Sequence, residues 1–179
     1  TGNGQAANAL TKYFKSVYAT DGSAEQIANA IENLNINYQI ETAEKTNLKD
    51  QSVDIITVAQ ALHWFNFDKF YSEVCRVLKP TGTIAVWTYG LIQSDHPELQ
   101  IAINNFYENI MGTYWPEERF HIDNQYQDLP FAFTNIIKKN FTIAVKWNTE
   151  QFLQYLRTWS SVKNYLKKHQ EDPVSKFMI

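Results

Sequence analysis

Residues 53–58 read Val-Asp-Ile-Ile-Thr-Val, a compact run rich in β-branched side chains. Such a run is typical of a strand buried on both faces of a parallel sheet. An amphipathic stretch follows over residues 67–78, with Asn66 placed to cap it and Pro80 placed to end it. Residues 83–88 (TIAVWT) then repeat the composition of a buried strand. This order indicates two parallel strands joined through a helix.

The residues before position 53 show the same alternation of helix and strand patterns. Apolar side chains recur at helical spacing over residues 6–14, and residues 17–20 form a short apolar run that ends at Asp21. A second helical pattern covers residues 23–34 and leads to a strand at residues 37–40. The whole order predicts an α/β fold with a doubly wound, Rossmann-like parallel sheet.

The amino-acid composition limits the binding partners and the cellular compartment that are expected for this protein. A formal net charge of −3 leaves no positive surplus for a phosphate backbone, so nucleic acid is not an expected partner. No apolar run approaches the roughly 18 residues of a membrane span, and no signal peptide pattern begins the chain. We expect a soluble cytoplasmic protein with no membrane partner, as a monomer or a homodimer. The single cysteine, Cys75, predicts a buried, inert thiol.

A glycine motif begins the chain. Residues 2–7, Gly-Asn-Gly-Gln-Ala-Ala, fit the pattern G-x-G-x-x-G/A, in which glycines permit a tight turn and a close backbone approach to a ligand. Asp21 ends the strand that follows the next helix, where a carboxylate can accept hydrogen bonds from both ribose hydroxyls. The combination predicts a cofactor that contains a nucleoside, and it suits adenosylmethionine and NAD equally.

The stretch after the strand at residues 53–58 favours the first of these cofactors. Small side chains at Ala59 and Ala61 let a ligand approach the backbone, and the aromatic faces of Trp64 and Phe65 can stabilise a sulfonium cation. Ordinary core packing is the alternative for each aromatic residue. His63 is a candidate base because it titrates near neutral pH, and a purely structural histidine is its alternative.

Residues 61–65 (ALHWF) and 70–82 (FYSEVCRVLKPTG) closely resemble the type 11 methyltransferase family of class I S-adenosylmethionine-dependent methyltransferases. The resemblance implies a methyltransferase with S-adenosyl-L-methionine as its cofactor. It also implies a first strand before Thr1 and a last antiparallel strand, and both are expected to lie outside these 179 residues. Thr42 departs from the Asp usual in the family beside the adenine. The cofactor-binding residues implied are Gly2, Asn3, Gly4, Asp21, Gly22, Ala43, Glu44, Ala59, Gln60 and Ala61.

Residues 114–116, 128–131 and 155–160 resemble a subgroup that includes trans-aconitate methyltransferase-like proteins. This resemblance implies a small-molecule acceptor, with a carboxylate as one option, and Arg119 and Arg157 could pair with that carboxylate. No metal is expected. The side chains expected to shape the substrate pocket are His63, Trp64, Tyr89, Tyr114, Trp115 and Trp159.

One domain with three parts is expected from this organisation. Residues 1–90 form the cofactor-binding core, residues 91–140 a helical and aromatic cover, and residues 141–179 a strand and helices of the same domain. Within the cover, residues 114–130 are irregular and form a candidate lid or a surface loop. Alternating apolar and polar residues at 141–147 predict the strand. Helical patterns are predicted at residues 97–111, 150–159 and 162–168.

Two further functional hypotheses fit the same residues. An NAD-dependent oxidoreductase would use the same glycine motif and Asp21, although no Tyr with a Lys four residues on is evident as a hydride-relay pair. A non-catalytic binding module could keep the cofactor fold and present the aromatic cover to a partner.

Overall fold

The computed structural model describes residues 1–177 and divides the chain into two units. Unit 1 comprises Thr1–Tyr89 and Asn124–Ala132, whereas unit 2 comprises Gly90–Asp123 and the described residues from Phe133 onward. The named strands of the described chain all lie in unit 1, and unit 2 is helical. Within residues 1–177, every helix is too short or too polar to cross a membrane.

Unit 1 alternates helices and strands as its sequence predicts. Strand β1 pairs in parallel with β2, and β3 pairs in parallel with β4. The prediction of an α/β fold is therefore confirmed. In chain order the elements are α1 (Gln5–Leu10), β1 (Val17–Asp21), α2 (Ala24–Ala28), β2 (Ile36–Ile40), β3 (Val53–Ala59), a 3₁₀ turn (Leu62–Trp64), α3 (Phe67–Val77) and β4 (Leu78–Trp87).

The four strands form two separate parallel pairs in place of one continuous sheet. Within each pair the two strands are joined through a helix or loop and run parallel, as in a doubly wound sheet.

The predicted caps are present, but one predicted helix is too long. The Ser23 hydroxyl accepts a hydrogen bond from the Gln26 N–H at 3.3 Å, and the Asn66 side chain accepts one from the Lys69 N–H at 3.1 Å. The helix predicted over residues 23–34 ends at Ala28. It ends early because the Ile31 N–H donates to the Asn3 carbonyl, a bond to the glycine loop that a continuing helix could not make.

Pro80 does not end helix α3, because the helix already gives way to β4 at Leu78. The pairing of β4 with β3 is irregular there, since Val53 lies opposite Leu78 and Ile55 lies opposite Thr83. A proline has no N–H to donate to a ladder, and strands commonly bulge around it. The proline therefore distorts the first residues of β4 without breaking the strand.

Cys75 is exposed, and the expectation of a buried thiol was wrong. Helix α3 buries Phe70, Val74 and Val77 on one face, and position 75 is turned about 100° away from position 74 on a helix of 3.6 residues per turn. The thiol therefore lies outside the buried face.

Unit 2 is held together by an aromatic and aliphatic core. The elements of the unit are α4 (Pro97–Asn105), a π turn (Phe106–Ile110), a 3₁₀ turn (Gly112–Tyr114), α5 (Arg119–Asp123), α6 (Thr149–Arg157), α7 (Ser160–His169) and a 3₁₀ turn (Pro173–Lys176). The buried core side chains are Ile103, Phe106, Met111, Phe152, Leu156, Trp159, Val162 and Val174. Helices therefore form at all three segments where periodicity predicts them after residue 90.

The strand predicted over residues 141–147 is wrong. These residues carry no regular secondary structure, and Phe141 and Ile143 are 83% and 74% exposed. The alternation of apolar and polar side chains is the local pattern of a strand, but a strand also needs a neighbour for its N–H and C=O groups. Within residues 1–177, no strand pairs with this segment.

A buried charge network fixes the loop between β2 and β3 against α3. Glu73 is 8% exposed and accepts hydrogen bonds from the Thr46 hydroxyl at 2.6 Å and from the Arg76 guanidinium at 2.6 Å and 2.8 Å. Arg76 in turn donates to the Leu48 carbonyl at 2.7 Å. The Arg76 hydrogen bonds outweigh burial and lower the pKa of Glu73 to about 2. The network therefore depends on an ionised carboxylate.

Glu73→Gln is predicted to lower the free energy of unfolding by about 1 to 3 kcal/mol at neutral pH, the usual cost of losing hydrogen bonds to a charged group. The pKa of Glu73 falls on folding from its ordinary 4.5 to about 2. The carboxylate thus stabilises the fold fully above the higher value, and this contribution is lost as pH falls towards the lower one. Urea unfolding of both proteins between neutral and acid pH measures the difference.

Glu171→Gln is the matched control. Glu171 pairs with Lys176 at 2.9 Å, but both side chains are at least half exposed. An exposed pair of this kind contributes about 0 to 1 kcal/mol. If the two substitutions destabilised the protein equally, or if the Glu73→Gln difference did not shrink in acid, the network would not have the proposed role.

Candidate cofactor-binding site

The glycine loop is a tight turn that leads into α1. Gly2 and Gly4 have φ angles of 55° and 84°, in the left-handed region that favours glycine. The Gly4 N–H donates to the Thr1 carbonyl at 3.2 Å, and the Gly4 carbonyl accepts from the Asn8 N–H at 2.8 Å. The turn and the first turn of the helix are thereby joined, as the motif predicts.

Gly4 also lies directly against a side chain from β2. A Cβ atom at this position would overlap the Tyr38 hydroxyl. That hydroxyl donates to the Ile31 carbonyl at 2.9 Å, and the Ile31 N–H donates to the Asn3 carbonyl at 3.0 Å. Tyr38 therefore packs against the glycine loop at Gly4 and supports it. Sequence reasoning did not identify this residue.

Asp21 lies at the carboxyl end of β1 beside the glycine loop. Its Oδ2 atom accepts from the Gly2 N–H at 2.8 Å, and its Oδ1 atom accepts from the Ser23 N–H at 2.9 Å. Burial raises the pKa of Asp21, whereas the hydrogen bonds from the Ser23 and Gly2 N–H groups lower it. The side chain is therefore a fixed carboxylate.

These residues fit a ribose. A carboxylate offers about four lone-pair sites, and the Gly2 and Ser23 N–H groups each occupy one site on Asp21. A site on Oδ1 thus stays available for a hydroxyl. The neighbouring Gly22 has no atom within 4 Å of the position its Cβ would take, so its backbone is open to a ligand. The loop, the carboxylate and this open backbone lie together, and their role in binding a cofactor stays a prediction.

The predicted adenine-side residues form a small turn after β2. Thr42 and Lys45 make an isolated antiparallel bridge, with Ala43 and Glu44 at the tip between them. The Glu44 carboxylate accepts from the Asn66 N–H at 3.0 Å. The turn is therefore tied to the segment that follows the 3₁₀ turn.

Gln60 joins the carboxyl ends of β3 and β4. Its N–H donates to the Trp87 carbonyl at 3.0 Å, and its side-chain oxygen accepts from the Thr88 hydroxyl at 2.8 Å and the Tyr89 N–H at 2.9 Å. Its φ of 52° is uncommon for a residue with a side chain. Ala59 lies opposite Trp87, and Ala61 begins the 3₁₀ turn. The amide of Gln60 thus extends the strand pairing beyond the last ladder bond.

His63 and Trp64 follow in the 3₁₀ turn. His63 is 6% exposed, and its Nδ1 atom lies 2.6 Å from the Tyr126 hydroxyl. Trp64 and Tyr89, also in unit 1, are 54% and 50% exposed. Tyr126 was missed by sequence reasoning, because nothing in the irregular segment at residues 114–130 marks one aromatic residue as a partner of the histidine.

The other predicted pocket residues belong to unit 2. Trp159 is 8% exposed in the core of that unit, and its ring centroid lies 5.4 Å from that of Trp115. Tyr114 contacts His169 through its hydroxyl at 2.8 Å. These contacts account for the three rings as packing within unit 2, and their role in a substrate pocket stays a prediction.

Both candidate carboxylate-binding arginines already contact aspartates. The Arg119 Nε atom lies 3.1 Å from Asp123, and its guanidinium lies over the Trp115 ring. Arg157 pairs with Asp172 at 2.9 Å. Among the described residues, no group of three His, Cys, Asp or Glu side chains is placed to hold a metal ion.

Comparison with known proteins agrees with this geometry. A model of the methyltransferase domain matches residues 1–86. A candidate methyltransferase of Dictyostelium discoideum is 37% identical over 173 residues, which cover 96% of this chain and 66% of that protein. A candidate S-adenosylmethionine-dependent methyltransferase of Saccharomyces cerevisiae is 22% identical over 210 residues, covering 96% of this chain and 71% of that protein. The chain thus spans about two thirds of the length of these relatives.

A solved structure shows the same fold. It is a candidate type II methyltransferase from Anaeromyxobacter dehalogenans, with a TM-score of 0.87 and 36% sequence identity. The match covers 98% of this chain and 74% of that chain. The fold is that of the class I methyltransferases. The chain belongs to the S-adenosylmethionine-dependent methyltransferases of that class, with a type 11 methyltransferase domain.

Gly4→Ala is predicted to lower the free energy of unfolding by about 1 to 3 kcal/mol, because the new side chain requires a left-handed backbone and displaces Tyr38. Thermal and urea unfolding measure the loss. Gly112→Ala is the control, since nothing lies within 4 Å of its added Cβ. Equal stability of the Gly4→Ala and wild-type proteins would contradict this account of the loop.

Proposed function

We propose that this protein transfers the methyl group of S-adenosylmethionine to a small-molecule acceptor. The observation that carries the proposal is the 2.8 Å hydrogen bond from the Gly2 N–H to Asp21, which places a glycine loop and an anionic strand end at one site. A nucleoside with an attached amino acid needs both features, a close backbone approach and a ribose acceptor. Membership of the methyltransferase family favours adenosylmethionine over NAD.

The chain supplies binding and orientation for this reaction. Bound adenosylmethionine provides an electrophilic methyl group on a sulfonium sulfur. Asp21 would hold the ribose, and the backbone at Gly2, Asn3 and Gly4 would hold the methionine part. The turn at Ala43 and Glu44 would lie on the adenine side. Because a direct displacement mainly needs reactants held in line and shielded from water, no covalent nucleophile of the protein is required.

The carboxyl edge of β3 and β4 would receive the acceptor. Ala59 and Ala61 keep the backbone accessible there, and Gln60 fixes the segment at Thr88 and Tyr89. Exposed aromatic rings next to this edge suit an organic acceptor. Trp87 is the last residue of β4 and is 40% exposed, and Trp64, in the turn after β3, is 54% exposed.

The chemical class of the acceptor rests on the resemblance to trans-aconitate methyltransferase-like proteins, which favours a carboxylate. Arg119 and Arg157 support that class weakly, because each already contacts an aspartate. A carboxylate acceptor bound through them would have to compete with Asp123 or Asp172. The broader proposal of a small-molecule acceptor does not depend on either arginine.

Calorimetric titration is predicted to show binding of adenosylmethionine and adenosylhomocysteine and no binding of NAD. Asp21→Ala should weaken adenosylhomocysteine about 5- to 150-fold, corresponding to 1 to 3 kcal/mol of charge-assisted hydrogen bonding. Asp95→Ala, which removes an exposed carboxylate in unit 2, serves as the control. Binding of NAD in place of adenosylhomocysteine, or equal affinity of the two variants, would contradict the proposal.

Incubation with methyl-labelled adenosylmethionine and a metabolite extract is predicted to place the label in the low-molecular-weight fraction. Separation of the extract into anionic and neutral pools before incubation tests the carboxylate class. Label in the neutral pool alone would exclude a carboxylate acceptor. Label in protein or nucleic acid alone would exclude a small molecule.

A further inference from the structure

The pairing of β1 with β2 ends as a parallel ladder ordinarily does. In such a ladder, a residue donates its N–H to one residue of the partner strand and accepts, through its carbonyl, from the residue two positions further on. Asp21, which lies opposite Ile40, follows this rule, because its main-chain carbonyl accepts from the Glu41 N–H at 3.1 Å. The last bond of this ladder is therefore made by main-chain atoms.

The pairing of β3 with β4 ends differently, at Gln60. The Gln60 N–H donates to the Trp87 carbonyl at 3.0 Å, so the next ladder bond would join the Tyr89 N–H to the Gln60 main-chain carbonyl. The Tyr89 N–H instead donates to the side-chain oxygen of Gln60, Oε1, at 2.9 Å. Within residues 1–177, the Gln60 main-chain carbonyl accepts no hydrogen bond. The side chain of Gln60 thus takes the place of its own main-chain carbonyl.

The Tyr89 backbone assigns the orientation of this side-chain amide. The Tyr89 N–H can only donate and faces Oε1, whereas the Tyr89 carbonyl can only accept and lies 3.3 Å from Nε2. Exchanging the amide oxygen and nitrogen would bring two N–H donors together and two oxygens together. The Thr88 hydroxyl adds a second hydrogen bond to Oε1 at 2.8 Å. The amide therefore pairs with Tyr89 as the backbone of a strand residue would.

The backbone conformation of Gln60 accounts for the unpaired carbonyl. Its φ of 52° is left-handed, whereas a residue in a parallel strand has a φ of about −120°. The difference turns the carbonyl out of the ladder. Such a conformation is strained for a residue with a side chain and persists where surrounding contacts hold it, as the amide bonds to Thr88 and Tyr89 do. The flanking Ala59 and Ala61 have only methyl side chains, so a ligand can approach the released carbonyl.

We propose that Gln60 is a positioning residue whose side-chain amide takes over the ladder bond and so releases its main-chain carbonyl to accept from the amino group of the cofactor. This step rests on the methyltransferase function proposed above. Adenosylmethionine offers donors on its ribose, its adenine and its ammonium group, and the first two are assigned above to Asp21 and to the turn at Ala43 and Glu44. The ammonium group has three N–H bonds, so it can bind this carbonyl in addition to the glycine loop.

Scalar couplings across hydrogen bonds test the ladder substitution without a ligand or a variant. In protein labelled with ¹³C and ¹⁵N, a long-range HNCO spectrum shows which carbonyl carbon accepts from a given amide. We expect the Tyr89 amide to couple to the side-chain carbonyl carbon of Gln60. The Glu41 amide, coupled to the Asp21 main-chain carbonyl carbon, is the internal reference. If the reference is seen, coupling of the Tyr89 amide to the Gln60 main-chain carbonyl, or to neither Gln60 carbon, would overturn the proposal.

Calorimetry with two ligands tests the role of the released carbonyl. The ligands are adenosylhomocysteine and its deaminated analogue, which keeps the carboxylate and lacks the amino group. Gln60→Ala removes the side-chain acceptor, so the main-chain carbonyl is expected to return to the Tyr89 N–H. Adenosylhomocysteine should then bind about 10- to 100-fold more weakly, as for the loss of a charge-assisted hydrogen bond, and the analogue should bind almost as before.

Gln51→Ala is the matched control, because Gln51 also has a left-handed backbone, with a φ of 49°, and its side chain is exposed. Equal weakening of both ligands by Gln60→Ala, unchanged binding of adenosylhomocysteine, or the same loss in the control would overturn the role of the carbonyl and leave the methyltransferase function standing. Failure of the wild-type protein to bind either ligand would overturn that function, and the scalar couplings would still decide the ladder substitution.

Discussion

The hydrogen bond from the Gly2 N–H to the Asp21 carboxylate is the constraint on which the candidate site depends. It ties the glycine loop to the carboxyl end of β1, and the Ser23 N–H on the other oxygen ties the start of α2 to the same group. A carboxylate held by backbone donors stays ionised and keeps its direction. The glycine loop and the carboxylate that we propose as the ribose acceptor are therefore one rigid feature.

A second constraint acts at the ends of β3 and β4. Gln60 adopts a left-handed backbone there, and its amide continues the pairing by binding Thr88 and Tyr89. The strained residue lies at the point where the chain turns from the strand into the segment with His63. Strain at such positions persists when the surrounding hydrogen bonds determine the conformation. The arrangement therefore fixes the edge where the acceptor is proposed to bind.

Much of unit 1 follows from its sequence. The composition at residues 53–58 and 83–88 predicts two parallel strands, and both form, but the predicted burial on both faces was wrong, because only Val58 of the two strands is buried. Ser23 and Asn66 predict the caps of α2 and α3, and Asp21 predicts the anionic strand end. These features are set by local pattern and by short-range chemistry. The helix over residues 23–34 was predicted too long because its end depends on a contact between Ile31 and Asn3, which no periodicity reveals.

Contacts between segments that are distant in the chain could not be predicted from the sequence. Tyr126 lies 63 residues from its partner His63, and the support of Gly4 by Tyr38 likewise joins separate elements. The strand predicted over residues 141–147 failed for the related reason that a strand is defined by its neighbour as well as by its own pattern.

The central claim is that the glycine loop and the end of β1 hold the cofactor, and the glycine amides report on it directly. The six glycines of the chain include three in the candidate site, Gly2, Gly4 and Gly22. Gly82 lies near the amino-terminal end of β4, away from the carboxyl ends of the strands, and serves as an internal control. In a ¹H–¹⁵N spectrum, saturating adenosylhomocysteine is predicted to shift the three site amides and leave the Gly82 amide in place. Binding that left the three amides unshifted would contradict the account.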